Sequence, residues 1–231
     1  MSGKQYVIGD IHGAYKALLE CFEKASFDRD RDRLICLGDV CDGWPEVNKV
    51  FEELLTLRNL VYILGNHDKW ALDWFIDHNA PAVWVNQGGN ATMESYEGAV
   101  PQSHIRLLLQ ALLFYRLENK VFVHGGFIPE IPLEKQEEHT FLWDRELVHR
   151  AIENHAESED CRITEFDEVY VGHTPTINFG STEPIRVCEV ILMDTGAGWP
   201  GGVLTMMEIQ SGKSVSSRPV DQLYPDYTGR D

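Results

Sequence analysis

Aspartate, asparagine and histidine residues follow several short apolar runs of this sequence, either directly or after a single glycine. The stretches are YVIGDIHG, ICLGDVCDG, VYILGNHD, VFVHGG and VYVGHTP. One such residue alone is more often a helix cap, a turn former or a satisfied surface residue than a ligand. The recurrence favours a shared site, because a parallel sheet brings the carboxyl ends of its strands to one edge. We therefore expect the polar side chains of these junctions to lie together.

The spacing of these residues suits metal ions. Asp10 and His12 are two positions apart, so in a continuing strand their side chains would leave the same face and could hold one ion. Asp39 ends the next apolar run, and its carboxylate has enough oxygens to bridge two ions. The ligands of a second ion are then completed by Asn66, His124 and His173.

This ligand set predicts both the cofactor and the reaction. Oxygen and imidazole ligands without thiolate favour Mn²⁺, Fe or Zn²⁺ over Ca²⁺. Two cations about 3.5–4 Å apart would position a bridging hydroxide for in-line attack on phosphorus and would stabilise charge on the phosphoryl oxygens. We therefore predict two divalent ions, with Mn²⁺ as first choice and Fe or Zn²⁺ as alternatives, and a phosphoester substrate.

The composition is that of a globular, strongly acidic chain. Its 231 residues, 43% of them hydrophobic, suit one domain better than two small ones. The 37 acidic and 20 basic residues give a formal charge of −17, which disfavours broad attraction to nucleic acid or to an anionic membrane. An anionic substrate would then need a local positive centre, which the two ions would supply.

The remaining global features concern compartment and redox state. No apolar run approaches the roughly 20 residues of a membrane span, and the first residues lack the pattern of a signal peptide, so we expect a cytoplasmic protein. The five cysteines are scattered and form no CxxC pair. We expect them to be reduced thiols.

Strands alternate with helices in the first third of the chain. Apolar runs at 6–8, 34–37 and 60–64 precede helical stretches at 14–24, at 45–57 and from GNHD to near His78, which predicts a parallel sheet with crossover helices. Residues 80–113 are predicted to be mostly helical and to form a cap over one side. Further predicted elements are a helix at 147–155 and strands at 115–117, 121–123, 169–171, 186–193 and 203–209, followed by a polar segment after Gln210.

The motifs also resemble those of a known family. In this order, GDIHG, GDVCDG, GNHD, HGG and GHTP resemble the calcineurin-like metallophosphoesterases, and within them the phosphoprotein phosphatase branch in its bacterial and phage form. That branch also includes symmetrical dinucleoside polyphosphate hydrolases. The likeness runs from residue 6 to about 208 and includes VNQGGNATMESY. It implies an α/β fold, a four-layer αββα sandwich forming a single domain over 1–231, with a helical cap-like insertion at 77–113.

The resemblance implies roles for individual residues. The family's ligands for one ion match Asp10, His12 and Asp39. Its ligands for the other ion match Asp39 again, together with Asn66, His124 and His173. The histidine of GNHD, His67, matches the acid that protonates the leaving group, and Asp42 matches the carboxylate that orients it. This agrees with the chemistry, since an alkoxide leaving a phosphate monoester needs a proton near neutral pH.

One position departs from the family pattern. The usual second motif is GDxVDRG, whose arginine grips the substrate phosphate, and this chain has Gly43 at that place. Glycine cannot supply the planar fork that meets two phosphate oxygens. Arg145, in FLWDRE, is a candidate for substrate binding; the alternative is a surface salt bridge with Asp144 or Glu146.

These features rank the possible functions. The leading prediction is a dinuclear-metal phosphatase acting on phosphomonoesters, with phosphoserine and phosphothreonine of proteins or peptides, or a small phosphoester, as substrates. The alternative is a symmetrical dinucleoside polyphosphate hydrolase. A non-catalytic phosphatase-like scaffold is disfavoured because all six ligands are present, and a nuclease because of the acidic balance. We expect neither nucleic acid nor membrane as a partner.

Overall fold

Two five-stranded sheets form the centre of the molecule. The computed structural model describes residues 3–96 and 98–230. The strands of the first sheet lie in the order β10 (Ser214–Ser216), β9 (Thr205–Glu208), β1 (Gln5–Ile8), β2 (Arg33–Cys36) and β3 (Asn59–Tyr62). Those of the second lie in the order β4 (Phe114–Leu117), β5 (Lys120–Val123), β6 (Glu168–Val171), β8 (Val190–Leu192) and β7 (Ile185–Val187).

Both sheets are mixed, with parallel strands at the centre. β1, β2 and β3 pair in parallel, and β9 and β10 extend the sheet with antiparallel pairing. In the second sheet β5, β6 and β8 are parallel, while β4 and β7 pair antiparallel at the two edges. Five of these six parallel strands, β1, β2, β3, β5 and β6, carry the polar motifs at their ends. Their carboxyl ends therefore come together at one edge of each sheet, as expected.

Helices cover the outer face of each sheet. The longer ones are α1 (Tyr15–Ala25), α2 (Val47–Leu55), α3 (Asn66–Asp77), α6 (Gln102–Leu109) and α8 (Glu146–Glu157). Shorter ones are α4 (Ala82–Trp84), α5 (Asn90–Ser95), α7 (Glu138–Trp143) and α9 (Val220–Leu223), with a π-helical turn at Val85–Gly89 and 3-10 turns at Leu133–Lys135 and Thr176–Phe179. Within the described part of the chain, no helix has the length and apolar character needed to cross a membrane.

Alternating side chains sort the core into layers. Val7 and Ile35 face the second sheet and pack with its Phe122 and Tyr170. Their neighbours along the strands point the other way, so that Ile8 and the rest of its face pack under α1, α2 and α3. The outer face of the second sheet packs in the same way against α8. Because successive residues of a strand face opposite sides, two sheets produce the predicted αββα sandwich, which the structure confirms.

The middle of the chain is helical, as predicted. α5 packs against α2, and α6 packs against α3, so this segment lies on the helical layer of the first sheet. The boundaries of a single domain at 1–231 and of a cap-like insertion at 77–113 stay predictions.

Two expectations about local structure are wrong. The predicted strand at 186–193 is two strands, because Cys188 has a positive φ of 51° and turns the chain back into a hairpin. Cys188 also forms a disulfide with Cys161, so this pair is not reduced. The loop before β6 lies against this hairpin and brings the two sulfur atoms together across 27 positions of sequence. Cys21, Cys36 and Cys41 are free thiols, as expected, and are buried.

The polar segment after Gln210 has more structure than its composition indicated. It contributes β10, which pairs with β9, and α9. Residues 224–230 then cross the molecule toward the ends of β1 and β2, where the backbone N–H of Arg230 donates to the carbonyl of Gly198 at 2.8 Å. A three-residue edge strand is too short to show a period in sequence.

Candidate active site

The junctions singled out by sequence meet at one place. β1 leads to Asp10 and His12, β2 to Asp39, β3 to Asn66, β5 to His124 and β6 to His173. The first three strands belong to one sheet and the last two to the other. None of the six side chains belongs to a residue more than 5% exposed. The structure thus brings all six predicted ligands together in a buried cluster between the ends of the two sheets.

The first group of ligand atoms comes from Asp10, His12 and Asp39. One atom from each lies within 4.8 Å of the others. His12 Nδ1 lies 2.9 Å from the carbonyl oxygen of Cys41, and because a carbonyl only accepts, Nδ1 carries the proton and Nε2 keeps its lone pair. A histidine that ligates a metal is held by the same kind of backbone bond.

The way Asp10 and His12 converge differs from the expectation. β1 ends at Ile8, and His12 has a φ of 48°, so a tight turn rather than strand alternation directs its side chain. Asp39, Asp42 and His173 also have positive φ values, of 46°, 74° and 60°. Such backbone is uncommon outside glycine and persists only where the surrounding structure enforces it.

The second group comes from Asp39, His124 and His173. Their ligand atoms again lie within 4.8 Å of one another, so Asp39 belongs to both groups. His124 Nδ1 donates to the carbonyl of Leu37 at 2.8 Å. Its Nε2 points inward, 2.9 Å from Asn66 Oδ1 and 3.4 Å from Asp39 Oδ2. His173 Nε2 is buried and has no hydrogen-bond partner among the described residues.

Burial shapes the protonation of these groups. Burial raises the pKa of Asp10 well above its usual value, and neighbouring carboxylates add to the rise. Burial acts on Asp39 in the same direction and is the largest single effect, but the surrounding histidines, His124 foremost, together outweigh it, and the pKa falls well below its usual value. Burial, aided by the charge on His124, lowers the pKa of His173 to about 2. An uncharged imidazole with a free Nε2 beside an ionised carboxylate fits a divalent cation.

A second histidine and a second aspartate form a pair next to these groups. His67 Nδ1 lies 2.5 Å from Asp42 Oδ2, and both side chains are buried. The backbone N–H of His67 donates to Asp39 Oδ1 at 2.9 Å, which ties the pair to the carboxylate shared by the two groups. The structure therefore joins the predicted acid, its predicted orienting group and the candidate ligands in one network.

These side chains surround a cleft of about 260 Å³. Its walls include Asp10, Asp39, Asn66, His67, Gln87, Trp143, Arg145, His173, Trp199 and Arg230. The cleft thus combines acidic and imidazole groups with two arginines, an arrangement suited to cations and to a phosphate that would bridge them. Residues 4–192 match the family model of the calcineurin-like phosphoesterases.

The chain belongs to this family. Serine/threonine-protein phosphatase 1 of Salmonella typhimurium is 28% identical over 214 residues, which cover 89% of this chain and 91% of that protein. The asymmetrical bis(5'-nucleosyl)-tetraphosphatase PrpE of Bacillus cereus is 25% identical over 241 residues, or 92% of this chain and 93% of that protein. A crystal structure provisionally named diadenosine tetraphosphatase superposes with a TM-score of 0.71 over 95% of both chains at 20% identity, which supports the fold.

The phosphoesterase holds Asp42 in place from the helical segment. Trp84 Nε1 donates to Asp42 Oδ2 at 2.8 Å, and Thr92 Oγ1 donates to Oδ1 at 2.7 Å. Gly89 is needed beside them, because a Cβ there would lie 2.5 Å from the Trp84 ring. This explains part of the segment VNQGGNATMESY. Sequence reasoning missed Trp84, which lies 42 positions from Asp42 and has no motif of its own.

Replacing Trp84 by phenylalanine tests this support. Trp84→Phe removes a hydrogen bond to a charged group while keeping an aromatic ring, so we expect kcat to fall about tenfold with little change in KM. Steady-state kinetics on a phosphoserine peptide, whose leaving group needs the proton from His67, would measure both. Trp74→Phe is the matched control, since its ring packs 6.0 Å from that of Trp84 and does not bond Asp42. An unchanged kcat in Trp84→Phe would contradict the assigned support.

Asp68, the last residue of GNHD, supports the loops around the site and does not line the cleft. Its Oδ1 accepts the N–H groups of Val40 and Cys41, at 2.9 and 3.2 Å. Its Oδ2 accepts the hydroxyl of Tyr62 at 3.0 Å and the N–H of Gly65 at 3.1 Å. One carboxylate thus joins the loops after β2 and β3 and fixes the start of α3.

Arg145 lies at the mouth of the cleft. Its Nη2 donates to the carbonyl of His173 at 3.3 Å. The alternative salt bridge is not seen: within residues 3–96 and 98–230 Arg145 has no carboxylate oxygen within 4.0 Å, and Asp144 instead accepts the N–H of Leu147 at 3.1 Å. This leaves the Arg145 guanidinium available to the cleft. Its role in substrate binding stays a prediction.

Proposed function

We propose that this phosphoesterase hydrolyses phosphomonoesters, with phosphoserine and phosphothreonine of proteins or peptides as its substrate class. The pair of His67 and Asp42 carries the proposal. A serine or threonine alkoxide is a strongly basic leaving group, so it needs a proton as its bond to phosphorus breaks. Asp42 accepts a hydrogen bond from the Nδ1–H group of His67. This leaves Nε2, the other ring nitrogen, to deliver a proton in the cleft.

The candidate ligands complete the proposal. We assign one divalent ion to Asp10, His12 and Asp39, and another to Asp39, Asn66, His124 and His173, with Mn²⁺ as the first choice. When bound, the two ions supply a nucleophile from water near neutral pH and neutralise charge on the phosphoryl oxygens. The chain itself orients the ions, excludes bulk water from a buried cluster and places the acid beside them.

The relatives support this substrate class without deciding it. The serine/threonine-protein phosphatase of Salmonella typhimurium aligns over 89% of this chain. A second candidate, hydrolysis of dinucleoside polyphosphates, is favoured by relatives named for it and by the two indole rings of Trp143 and Trp199 in the cleft walls. Such rings can stack on a nucleobase, with about 1–3 kcal/mol per base.

A comparison of substrates tests the proposal. The full chain loaded with Mn²⁺ is assayed on phosphoserine and phosphothreonine peptides, on diadenosine tetraphosphate, on p-nitrophenyl phosphate and on the diester bis-p-nitrophenyl phosphate. We expect the highest kcat/KM on a phosphopeptide. A much higher kcat/KM on the dinucleotide would replace the first candidate by the second. Faster hydrolysis of the diester than of p-nitrophenyl phosphate would contradict both.

A further inference from the structure

Arg230 places a guanidinium group inside the candidate active site. Its Nη1 lies 3.0 Å from His12 Nε2, and its Nη2 donates to Gln87 Oε1 at 3.3 Å. The group lies over the ring of Trp199, 4.4 Å from the centroid. Its Nε is buried and, among the residues that the structure describes, has no hydrogen-bond partner.

The charge of this group has no acidic partner of its own. Within residues 3–96 and 98–230, no carboxylate oxygen lies within 4.0 Å of the Arg230 side-chain nitrogens. The acidic residues that line the cleft, Asp10 and Asp39, are candidate metal ligands, and two bound cations would neutralise them. A half-buried cation with neutral partners and an unused N–H favours an anionic ligand, and its planar fork matches phosphate oxygens.

The segment that carries Arg230 is fixed to the fold. The Tyr224 ring stacks on Trp44 at 5.4 Å, and the Trp44 Nε1 donates to the carbonyl of Ala197 at 2.6 Å. Gly229 has a φ of 72°, and a Cβ there would lie 2.7 Å from the Trp44 ring. Residues 224–230 therefore follow a defined path, which Trp44 supports.

Glycines make room for the Arg230 side chain. A Cβ built on Gly43 would lie 3.4 Å from Arg230 Cγ, one on Gly88 would lie 3.2 Å from the same atom, and one on Gly198 would lie 3.0 Å from Cδ. A longer side chain at Gly43 would compete with Arg230 for this space. Gly43 is also the position at which the family motif has an arginine, so an arginine from a distant segment occupies the space beside it.

We infer that Arg230 binds the phosphoryl group of the substrate and does so from the space that Gly43 leaves open. The inference rests on the proposed function, because it assigns a residue to the same cleft. In this proposal Arg230 donates hydrogen bonds to phosphoryl oxygens, and Arg145 also lines the cleft. No bond to phosphorus is made or broken by the guanidinium itself.

Phosphate binding to Arg230→Gln tests the inference. This variant keeps much of the side-chain stem and removes the charge. Titration calorimetry with inorganic phosphate, on the full chain loaded with Mn²⁺, should give an affinity about 10- to 100-fold below that of the unchanged protein. KM for p-nitrophenyl phosphate should rise in parallel, while bound manganese, measured by plasma emission spectrometry, stays the same. Arg230→Lys keeps the charge but loses the planar fork, so its phosphate affinity should lie between those of the unchanged protein and Arg230→Gln.

Arg218→Ala is the matched control. Arg218 precedes the same segment and pairs with Glu20 on the surface, so its loss should leave phosphate affinity unchanged. Phosphate affinity of Arg230→Gln within twofold of the unchanged protein would overturn the inference, and so would a loss of bound manganese together with phosphate. Calorimetry tests the inference separately from the proposed function. If the unchanged protein binds phosphate but hydrolyses no monoester, the proposed function fails. The comparison of phosphate affinity between the unchanged protein and Arg230→Gln still shows whether Arg230 binds phosphate.

Discussion

Asparagine in place of Asp39 is expected to abolish hydrolysis. Asp39 belongs to both candidate ligand groups, and its Oδ1 also accepts the backbone N–H of His67. An amide keeps the shape but loses the charge and one of the two oxygens. The decrease in kcat should exceed about 100-fold, which is beyond the loss usual for residues that only contact a metal ligand.

Two measurements on Asp39→Asn check this expectation. Activity on p-nitrophenyl phosphate should vanish, and bound manganese, measured by plasma emission spectrometry after gel filtration, should fall below that of the unchanged protein. Asp30→Asn is the control, because Asp30 is exposed and outside the cleft. Full activity with two ions bound in Asp39→Asn would refute the assignment of a shared carboxylate.

Asparagine in place of His67 should produce a loss that depends on the leaving group. If His67 protonates the leaving oxygen, kcat on a phosphoserine peptide should fall about 10²- to 10⁴-fold. The loss on p-nitrophenyl phosphate should be much smaller, since nitrophenolate leaves without needing a proton. Bound manganese should not change, because His67 belongs to neither ligand group.

The comparison between the two substrates separates acid catalysis from other roles. Equal losses on both substrates would mean that His67 acts by positioning the substrate or Asp39 and not by donating a proton. His149→Asn is a suitable control, since His149 is exposed on α8 and outside the cleft. Its kcat should match that of the unchanged protein on both substrates.

The sequence predicted the cluster well because its members follow parallel strands. His124 directly follows a short apolar run, Asp39 follows another after one glycine, and a parallel sheet leaves little freedom in where such residues lie. The local geometry was harder to foresee. Asp10 and His12 meet through a turn with positive φ, which depends on contacts with the loop after β2 and not on strand period.

Contacts between distant segments could not be predicted from one sequence. Arg230 and His12 are 218 positions apart, and no spacing or composition links them. The Cys161–Cys188 disulfide depends in the same way on how a loop lies against a hairpin. Trp84 resembles any apolar residue of a helix until Asp42 is seen beside its indole nitrogen. Such residues become visible only when packing places them next to a motif.

The division of the ligands between the sheets has a consequence for how the protein assembles. Asp10, His12 and Asp39 all follow strands of the first sheet, so that sheet alone contains every member of one group. His124 and His173 follow strands of the second sheet and meet Asp39 only across the boundary. A folding chain can therefore bring Asp10, His12 and Asp39 together before the two sheets dock. The second ligand group, which joins Asp39 to His124 and His173, forms only when the sheets dock. The onset of activity during refolding would then mark the moment at which the two sheets close on each other.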